Sequence, residues 1–345
     1  MSVTLEDNKR TAIAVKLADM KATQNLLIAN EKSLISACPD REITNRLEGF
    51  LRDDQKNLGI IDTVIVQYGI KAEPNPSMQK ESDDLGKMMQ DSDITLFEKV
   101  AKHEILKHTQ AMAGVLVHKA GQVVGADIVV AIAPLNTVNF ENRGHEEQLK
   151  GIMESLSTME LTGKPSDSGL WSRVQDTIAA LSGVAGSLIS RIDHEINICD
   201  LIRLDHVKVY ALFSEIRATD DPQKLEEYFG QLYQDLSAHS DAEEQVLYPV
   251  VRPYYNDVQK LYDEQAEMKQ TLAQIKAMNC DDTVAFKAAV ELLATAVNDH
   301  IQEEEKEMFP RIRGSFGDDQ QKKLATDFKT AKSQIQDWRL VSASQ

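Results

Sequence analysis

The sequence predicts an all-α protein made of two up-down four-helix bundles joined by a connecting helix. The 345-residue chain contains only 16 Gly and 9 Pro, and its long stretches of Ala, Leu, Glu, Lys and Gln favour helix. Apolar residues also recur at alternating steps of three and four, which is the period of an amphipathic helix. Together these two observations predict the fold class.

Two polar segments divide the helical pattern. One is a Pro/Ser-rich loop at 71–84 and the other is TGKPSDSG at 162–169, and segments of this composition are typical of loops and linkers. Helices are predicted at 4–37, 41–69, 85–119 and 126–157, and then at 170–195, 199–218, 222–251, 256–278 and 282–312. We therefore expect an N-terminal bundle at 1–160, a linker and connecting helix at 161–197, and a C-terminal bundle at 198–340.

Charge and cysteine usage narrow the class of protein. The 38 Lys+Arg and 55 Asp+Glu give a net charge of −17. Because phosphate-backbone binding needs basic patches, we expect no nucleic-acid partner, and metal cations are more natural partners. Three cysteines without CxxC spacing suit a reducing cytosol. No apolar run approaches the roughly 20 residues of a membrane helix, and no signal peptide is recognisable, so we expect a cytoplasmic protein without membrane association.

An internal repeat is the strongest functional signal. Residues 239–249 read HSDAEEQVLYP and residues 300–310 read HIQEEEKEMFP. Both have Glu at the fourth and fifth positions after His, an aromatic residue at the ninth and Pro at the tenth. Since i and i+4 share one helix face, each segment presents an imidazole and a carboxylate together. Two such helices facing each other can offer these groups to a pair of metal ions, as bundle cores do.

The apolar stripes predict that these residues point inward. A polar residue interrupts the stripe of every helix in the C-terminal bundle, and buried ionisable groups are costly unless they are paired or metal-bound. Several interruptions of metal-ligand type in one bundle therefore predict a metal site. The interrupting residues are His206, His239, Glu243, Gln265, His300 and Glu304.

The segment 199–315 resembles the hemerythrin-like HHE cation-binding domains. The resemblance rests on LDH (204–206), HSDAEE (239–244), the EQ pair (264–265) and HIQEEE (300–305). It implies a di-iron site, and manganese or zinc would bind similar donors. The implied ligands are His206, His239, His300 and the bridging pair Glu243 and Glu304. Gln265 stands where the family has a third-helix histidine, and Glu264 or Glu267 could supply a replacement ligand.

This resemblance implies a non-haem di-iron protein that binds oxygen, peroxide or iron for sensing, storage or scavenging. The expected partners are then metal ions and a small exogenous ligand, oxygen or peroxide. Two alternatives stay open: a di-iron enzyme acting on peroxide or dioxygen, and a structural or interaction protein with a vestigial metal site. Around the site, we expect Glu244, Glu303, Glu305 and Glu307 to form solvated faces, and Tyr248 and Phe309 to be packing residues.

The N-terminal half loosely resembles ferritin-like bundles. Its stripes predict that five polar residues meet in a second core, namely Glu31, Asp54, Glu104, His108 and His145. The ExxH motif of those bundles is absent, and Asp54-x-x-Asn57 stands in its place. The second core is therefore interpreted either as a second metal site or as the polar core of a partner-binding bundle.

The connecting helix carries many small residues, which would let another helix approach closely. They are Ala179, Ala180, Ser182, Gly183, Ala185, Gly186 and Ser187. Packing against the helix's own bundle and a homodimer contact are both consistent with this stripe.

Overall fold

The structure, a computed structural model, describes residues 5–167, 169–185 and 196–343, and this part of the chain is helical without any β-strand. The predicted all-α class is confirmed. The helices are α1 (Leu5–Ala37), α2 (Arg41–Tyr68), α3 (Pro76–Gln90), α4 (Leu96–Val124), α5 (Ala126–Ile132), α6 (Leu135–Thr162), α7 (Leu170–Ala185), α8 (Ile198–Ala218), α9 (Pro222–Ala242), α10 (Tyr248–Val251), α11 (Val258–Lys276), α12 (Thr283–Glu303), α13 (Phe309–Ser315) and α14 (Asp318–Ala343). Short π-helical turns, Glu243–Leu247 and Glu304–Met308, join α9 to α10 and α12 to α13.

Several elements differ from the predicted scheme of two four-helix bundles. Most of the segment expected as a loop at 71–84 belongs to α3, which starts at Pro76, a residue suited to a first helical position. α14 was not predicted, yet it packs against α2, α8 and α9. The two-bundle arrangement stays a prediction, because α14 contacts helices of both halves of the chain.

Side-chain caps fix where the helices around the C-terminal core begin. Asn197 accepts a hydrogen bond from the backbone N–H of Asp200 at the start of α8. Asp221 caps α9, with Pro222 at its first position as the sequence predicts, and Asp282 caps α12. Each cap satisfies backbone donors that a helix start leaves free, so the register of the helices that carry the repeated motif is set locally.

Two apolar clusters enclose a polar layer in the C-terminal half. α8, α9 and α11 each contribute side chains to both clusters, one around Leu247 and Phe309 and the other around Leu212 and Leu293. α12 contributes to the second cluster, and the chain that follows it contributes Met308 and Phe309 to the first. Between the clusters, every helix turns a polar residue inward. Because water is excluded on both sides, polar groups in this layer can be satisfied only by one another or by a bound ligand.

Buried polar contacts join the two halves of the chain. Arg10 of α1 forms a bidentate ion pair with Asp127 and a second ion pair with Glu227 of α9. Lys208 of α8 donates to the carbonyl oxygens of Gln67 and Tyr68 at 2.6 and 2.9 Å, where α2 ends. Buried charged pairs of this kind fix geometry more reliably than they add stability, so the two halves are held in one defined register.

The connecting helix is only partly described. α7 spans Leu170–Ala185 and packs against α6, where Val174 and Trp171 lie over Gly151. The rest of the predicted helix, 186–195, and the side chains of 180–185 lie outside the described residues. A homodimer contact through this stripe stays a prediction. None of the described helices has the length and apolar composition needed to span a membrane.

We predict that Gly69→Ala lowers the free energy of unfolding more than Gly163→Ala does. Both glycines end helices with positive φ, +84° and +64°, a conformation that costs a residue with a Cβ about 1–2 kcal/mol. Only at Gly69 would the Cβ also meet a neighbour, 2.5 Å from Oδ1 of Asp235. Urea unfolding of both variants measures the difference. An equal decrease in the free energy of unfolding would mean that Asp235 moves away from the added Cβ without loss of stability.

Candidate metal centre

Four helices deliver the polar layer of the C-terminal half. α8 carries His206, α9 carries His239, α11 carries Gln265 and α12 carries His300. The two π-helical turns begin at Glu243 and Glu304, directly after α9 and α12. These six side chains are at most 7% exposed. The structure therefore brings together every residue that the repeat and the stripes singled out in this bundle.

Donor atoms of these residues form two overlapping groups. In one, atoms of His206, His239 and Glu304 lie within 4.8 Å of one another. In the other, atoms of Glu243, His300 and Glu304 do so. Glu304 belongs to both groups, with Oε2 3.3 Å from Nε2 of His206 and Oε1 3.4 Å from Nε2 of His300. The arrangement suits two cations that share a carboxylate.

Buried donor atoms without a hydrogen-bond partner test whether the residues fit such cations. Nε2 of His206, Oε1 of Glu243, Oε1 of Gln265 and Oε2 of Glu304 are all buried and have none. Unsatisfied polar atoms are rare in protein interiors and need an explanation. Nitrogen and oxygen donors that converge in a closed layer are what a transition metal or zinc binds, so the residues fit a metal centre.

Carboxylates behind the three histidines fix the direction of each ring. Nδ1 of His206 lies 2.9 Å from Oε1 of Glu305, Nδ1 of His300 lies 2.8 Å from Oε2 of Glu264, and Nδ1 of His239 lies 2.8 Å from Oδ2 of Asp205. An imidazole whose Nδ1–H is held in this way offers Nε2 as its donor atom. Accordingly, Nε2 of His206 and of His300 faces Glu304, and Nε2 of His239 faces Glu243.

Asp205 is itself held from α14. Nζ of Lys332, 2% exposed, donates to Oδ1 of Asp205, while Oδ2 faces His239. The ring of Phe328, one turn earlier on α14, lies edge-on to His239 with centroids 5.9 Å apart. Burial would raise the pKa of Asp205, but Lys332 and His239 together hold it far below its usual range. α14 therefore supports the centre through a charged carboxylate.

Tyr248 lies inside the centre rather than in the surrounding apolar packing. Its hydroxyl donates to Oε1 of Glu304 at 2.7 Å and lies 3.3 Å from Oε2 of Glu243. The Gln265 amide nitrogen donates to Tyr248 Oη and to Glu243 Oε2, both at 2.7 Å. Burial and the two carboxylates raise the pKa of Tyr248 well above 10, so the phenol keeps its proton and acts as a donor.

The proline that ends each copy of the motif explains the π-helical turns. Pro249 and Pro310 cannot donate a hydrogen bond to the carbonyl four residues earlier, and their rings crowd it. The chain widens instead, and the N–H groups of Tyr248 and Phe309 bond to the carbonyls of Glu243 and Glu304, five residues earlier. Such single wide turns occur often at functional sites.

Without a bound metal ion, protonated histidines neutralise the negative charge of the two buried carboxylates. Burial lowers the pKa of His239 and His300. Glu243 and Asp205 outweigh it for His239, and Glu304, Glu264 and Glu243 outweigh it for His300, so that both values rise to about 10. Burial and repulsion from Glu304 raise the pKa of Glu243. Since a metal ion binds neutral imidazole, its binding would displace protons from these rings.

The surroundings of the centre correct three expectations. Tyr248 was expected to be a packing residue, and Glu305 was expected on a solvated face, yet both contact the central residues. Glu264 lies behind His300 at Nδ1 and not among the converging donors, whereas Glu267 is exposed. Asp205 was missed because the stripe of α8 was drawn through its neighbour His206, although Asp205 is buried on the same helix three residues after Ile202. The difference between Tyr248 and Phe309 in the two copies of the repeat was the available signal for Tyr248.

In the N-terminal half, the structure gathers Glu31, Asp54 and His145 but not Glu104 or His108. His108 has a side chain 60% exposed, and Glu104 is partly exposed. The register of α4 was wrong by one residue: its buried face contains Val100, His103, Lys107 and Gln110. Glu104 and His108 therefore lie outside the polar core.

Lys107 supplies the positive charge of the N-terminal core. Its Nζ lies 3.1 Å from Oε1 of Glu31 and 3.0 Å from Nδ1 of His145, and it also pairs with Asp54. Among the described residues, ligand groups close enough for a metal ion occur only in the C-terminal half. An ammonium group between the two carboxylates favours the polar-core interpretation over a second metal site.

Comparison with known proteins identifies relatives of the C-terminal half and of the whole chain. Residues 197–312 match the family model described as the hemerythrin HHE cation binding domain. A protein of Nostoc sp. (strain PCC 7120) named DNA nickase is 54% identical over 340 residues, covering 97% of each chain. An uncharacterised hemerythrin-like protein of Schizosaccharomyces pombe is 25% identical over 140 residues, 39% of this chain and 68% of its own length. No solved structure matches the chain significantly.

These findings confirm the resemblance to hemerythrin-like HHE domains and correct the function drawn from it. The expected function, binding of oxygen, peroxide or iron for sensing, storage or scavenging, is contradicted by the name of the Nostoc relative, and so are its two alternatives. The expectation of no nucleic-acid partner is contradicted by the same name. The error lay in reading a net charge, which sums over the whole chain, as a statement about every part of its surface.

We predict that Glu304→Ala removes both metal ions, because this carboxylate belongs to both donor groups. Metal per chain is measured by mass spectrometry after incubation with iron, manganese or zinc and removal of excess metal. Glu307→Ala is the matched control, since Glu307 is exposed on the same π-helical turn. Full metal content in folded Glu304→Ala protein would contradict the shared-carboxylate assignment.

We also predict that His103 makes the chain lose stability in acid. Burial and the neighbouring Lys107 charge lower the pKa of His103 from 6.5 to about 3. Between pH 6.5 and pH 3, His103 is therefore protonated in the unfolded chain but not in the folded chain. Stability then falls as pH falls from 6.5 towards 3, by up to about 1.4 kcal/mol per pH unit. Urea unfolding at several pH values should show a shallower slope for His103→Gln than for wild type. His108→Gln, on the exposed face of α4, should keep the wild-type slope, and parallel curves for all three proteins would contradict the prediction.

Proposed function

The chain belongs to the family of the Nostoc DNA nickase, and from this premise we propose that it cuts one strand of duplex DNA by metal-dependent hydrolysis. The observation that carries the proposal is the identity with a protein of that name along nearly the whole of both chains. A similarity confined to the HHE domain would support metal binding alone. Because the similarity includes the N-terminal half and α14, it supports a shared activity of the entire molecule.

We assign the metal ions to the donor atoms that converge in the C-terminal half. His206 and His239 would hold one ion, and Glu243, His300 and the amide oxygen of Gln265 the other, with Glu304 shared. Mixed imidazole and carboxylate donors suit iron best in this reading, with manganese or zinc as alternatives, and they suit magnesium poorly. When bound, such ions supply Lewis acidity towards a phosphoryl oxygen and a water of lowered pKa.

The chain's own residues would prepare this centre for phosphodiester hydrolysis. Asp205, Glu264 and Glu305 keep the three imidazole rings in one orientation through Nδ1. Tyr248 keeps its proton and directs it at Glu304, which fixes that carboxylate. The apolar clusters on both sides exclude water, so charge interactions within the layer are stronger than in solvent. In the hydrolysis, a water oxygen bonds to phosphorus, one bridging P–O bond breaks, and the leaving oxygen takes a proton.

A guanidinium marks the edge of the centre that faces solvent. Arg203 is 39% exposed, and its Nε lies 3.1 Å from Oε2 of Glu305, whose other oxygen contacts His206. Arginine binds phosphate oxygens in a bidentate manner. We therefore assign the approach of the scissile phosphodiester to this edge, where a fixed cation lies next to the residues that hold the metal.

The test is a nicking assay on supercoiled plasmid with metal-free protein to which iron, manganese or zinc is added. Wild-type protein should convert the plasmid to open circles that DNA ligase reseals, directly or after polynucleotide kinase has restored a 3′-hydroxyl and a 5′-phosphate, since hydrolysis leaves both sugars intact. His239→Ala should abolish nicking, and Asp205→Asn should reduce it about 10- to 100-fold, the usual effect of losing the group that orients a metal-binding histidine. His108→Ala, an exposed histidine of α4, is the control and should retain full activity.

Three results would contradict the proposal in different ways. Wild-type protein that nicks no plasmid with any of the metals would exclude the activity. Undiminished nicking by His239→Ala would place the hydrolytic site elsewhere in the chain. Nicks that ligase cannot reseal even after polynucleotide kinase has restored a 3′-hydroxyl and a 5′-phosphate would indicate oxidative damage of the strand rather than hydrolysis.

A further inference from the structure

A groove between α2 and α14 is lined by lysines, and we refer to it as the lysine groove. Lys56 comes from α2, and Lys322, Lys323 and Lys329 come from α14. The cavity has a volume of about 320 Å3, and Leu201 of α8 forms part of its wall. The groove therefore lies where the N-terminal half, α8 and α14 meet.

The charge of this groove is opposite to that of the whole chain. The chain carries 55 acidic and 38 basic residues, yet no aspartate or glutamate is among the described residues that line the groove. Its remaining lining is neutral, with Gln55, Thr63 and Thr326 offering polar groups. A concave surface lined by cations and neutral polar groups is complementary to a polyanion.

The partners of these lysines are compatible with phosphate binding. Lys56 lies 3.4 Å from Glu141, Lys323 pairs with Asp327 one turn along α14, and Lys329 donates to the hydroxyl of Thr63 at 3.1 Å. Ion pairs of partly exposed side chains contribute little. Phosphate oxygens can therefore replace or supplement these contacts at small cost.

α14 connects the lysine groove to the metal centre. One face of the helix places Lys329 in the groove, while another places Phe328 against His239 and Lys332 on Asp205. The width of one helix, roughly 10 Å, thus separates the groove from the residues that hold the ring of His239. A nucleic acid lying in the groove would be close to the centre without filling it.

Resting on the function proposed above, we infer that the lysine groove binds the phosphate backbone of the duplex DNA that the metal centre cuts. Lys322 and Lys329 are seven residues apart, which corresponds to about 10.5 Å along a helix. Successive phosphates of one strand advance about 3.4 Å along the duplex axis. The two lysines are therefore far enough apart along α14 to contact different phosphates of one duplex, and Lys56 faces them from α2. Contacts of this kind position a duplex without reading its sequence.

The test measures DNA binding without hydrolysis, using a short fluorescein-labelled duplex in EDTA across a series of salt concentrations. We compare wild type with Lys322→Gln/Lys323→Gln. Each lost phosphate contact lowers the slope of log affinity against log salt by about 0.9, so the double variant should bind more weakly with a slope smaller by about 1 to 2. Lys56→Gln, on the opposite wall, should lower the slope by about 1. Circular dichroism checks that each variant is folded.

Lys80→Gln/Lys102→Gln is the matched control, because it removes the same charge from exposed lysines of α3 and α4. This control should bind like wild type, and equal weakening in both double variants would overturn the groove in favour of a general charge effect. Wild-type nicking combined with unchanged binding by the groove variants would also overturn it, while leaving the nickase proposal intact. Weaker binding by the groove variants, with no nicking by wild type under any metal, would support the groove and reject the nickase proposal.

Discussion

Two buried carboxylates that face each other are the constraint on which the C-terminal half depends. Glu243 and Glu304 are fully buried, and repulsion from Glu304 raises the pKa of Glu243. Without cations around them, such a pair would be too costly to enclose between two apolar clusters. The structure compensates this buried negative charge in several ways. The imidazoles point inward, Tyr248 keeps its proton, and carboxylates hold each Nδ1. The same negative charge makes the layer a receptor for metal ions.

The repeat builds a centre whose two sides differ. His239, Glu243 and Tyr248 in the first copy correspond to His300, Glu304 and Phe309 in the second. α8 contributes an imidazole where α11 contributes the amide of Gln265, a weaker and harder donor. In the proposed assignment, one metal position would have more nitrogen donors, while the other would lie beside a phenol and an amide. This asymmetry would give the two positions unequal affinity, which is useful when one ion must stay bound and the other must contact a changing ligand.

Sequence reasoning succeeded where the helical period alone decides which side chains are buried. Every polar interruption of the C-terminal stripes lies in the central layer. The same method failed on α4. The predicted pair, Glu104 and His108, lies one residue after the buried pair, His103 and Lys107, and both registers contain apolar neighbours. Asp205 is buried at a stripe spacing from Ile202, but its role behind His239 is visible only from contacts across helices. The lysine groove was beyond sequence reasoning for a similar reason: Lys56 and Lys329 are far apart in the chain and meet only after α14 folds back on α2.

The net charge of −17 does not conflict with a duplex bound at the lysine groove. At physiological salt, charges on the surface are screened beyond about 8 Å, so a phosphate within the groove experiences its nearest lysines far more than distant carboxylates. The acidic remainder of the surface then has its own effect, because it repels duplex DNA wherever the lysines are absent. Binding in one place and repulsion elsewhere would bring the backbone to the one helix, α14, that also holds Asp205 and, through it, His239. A basic protein would bind DNA in many orientations, whereas this charge distribution would restrict the duplex to the orientation next to the centre.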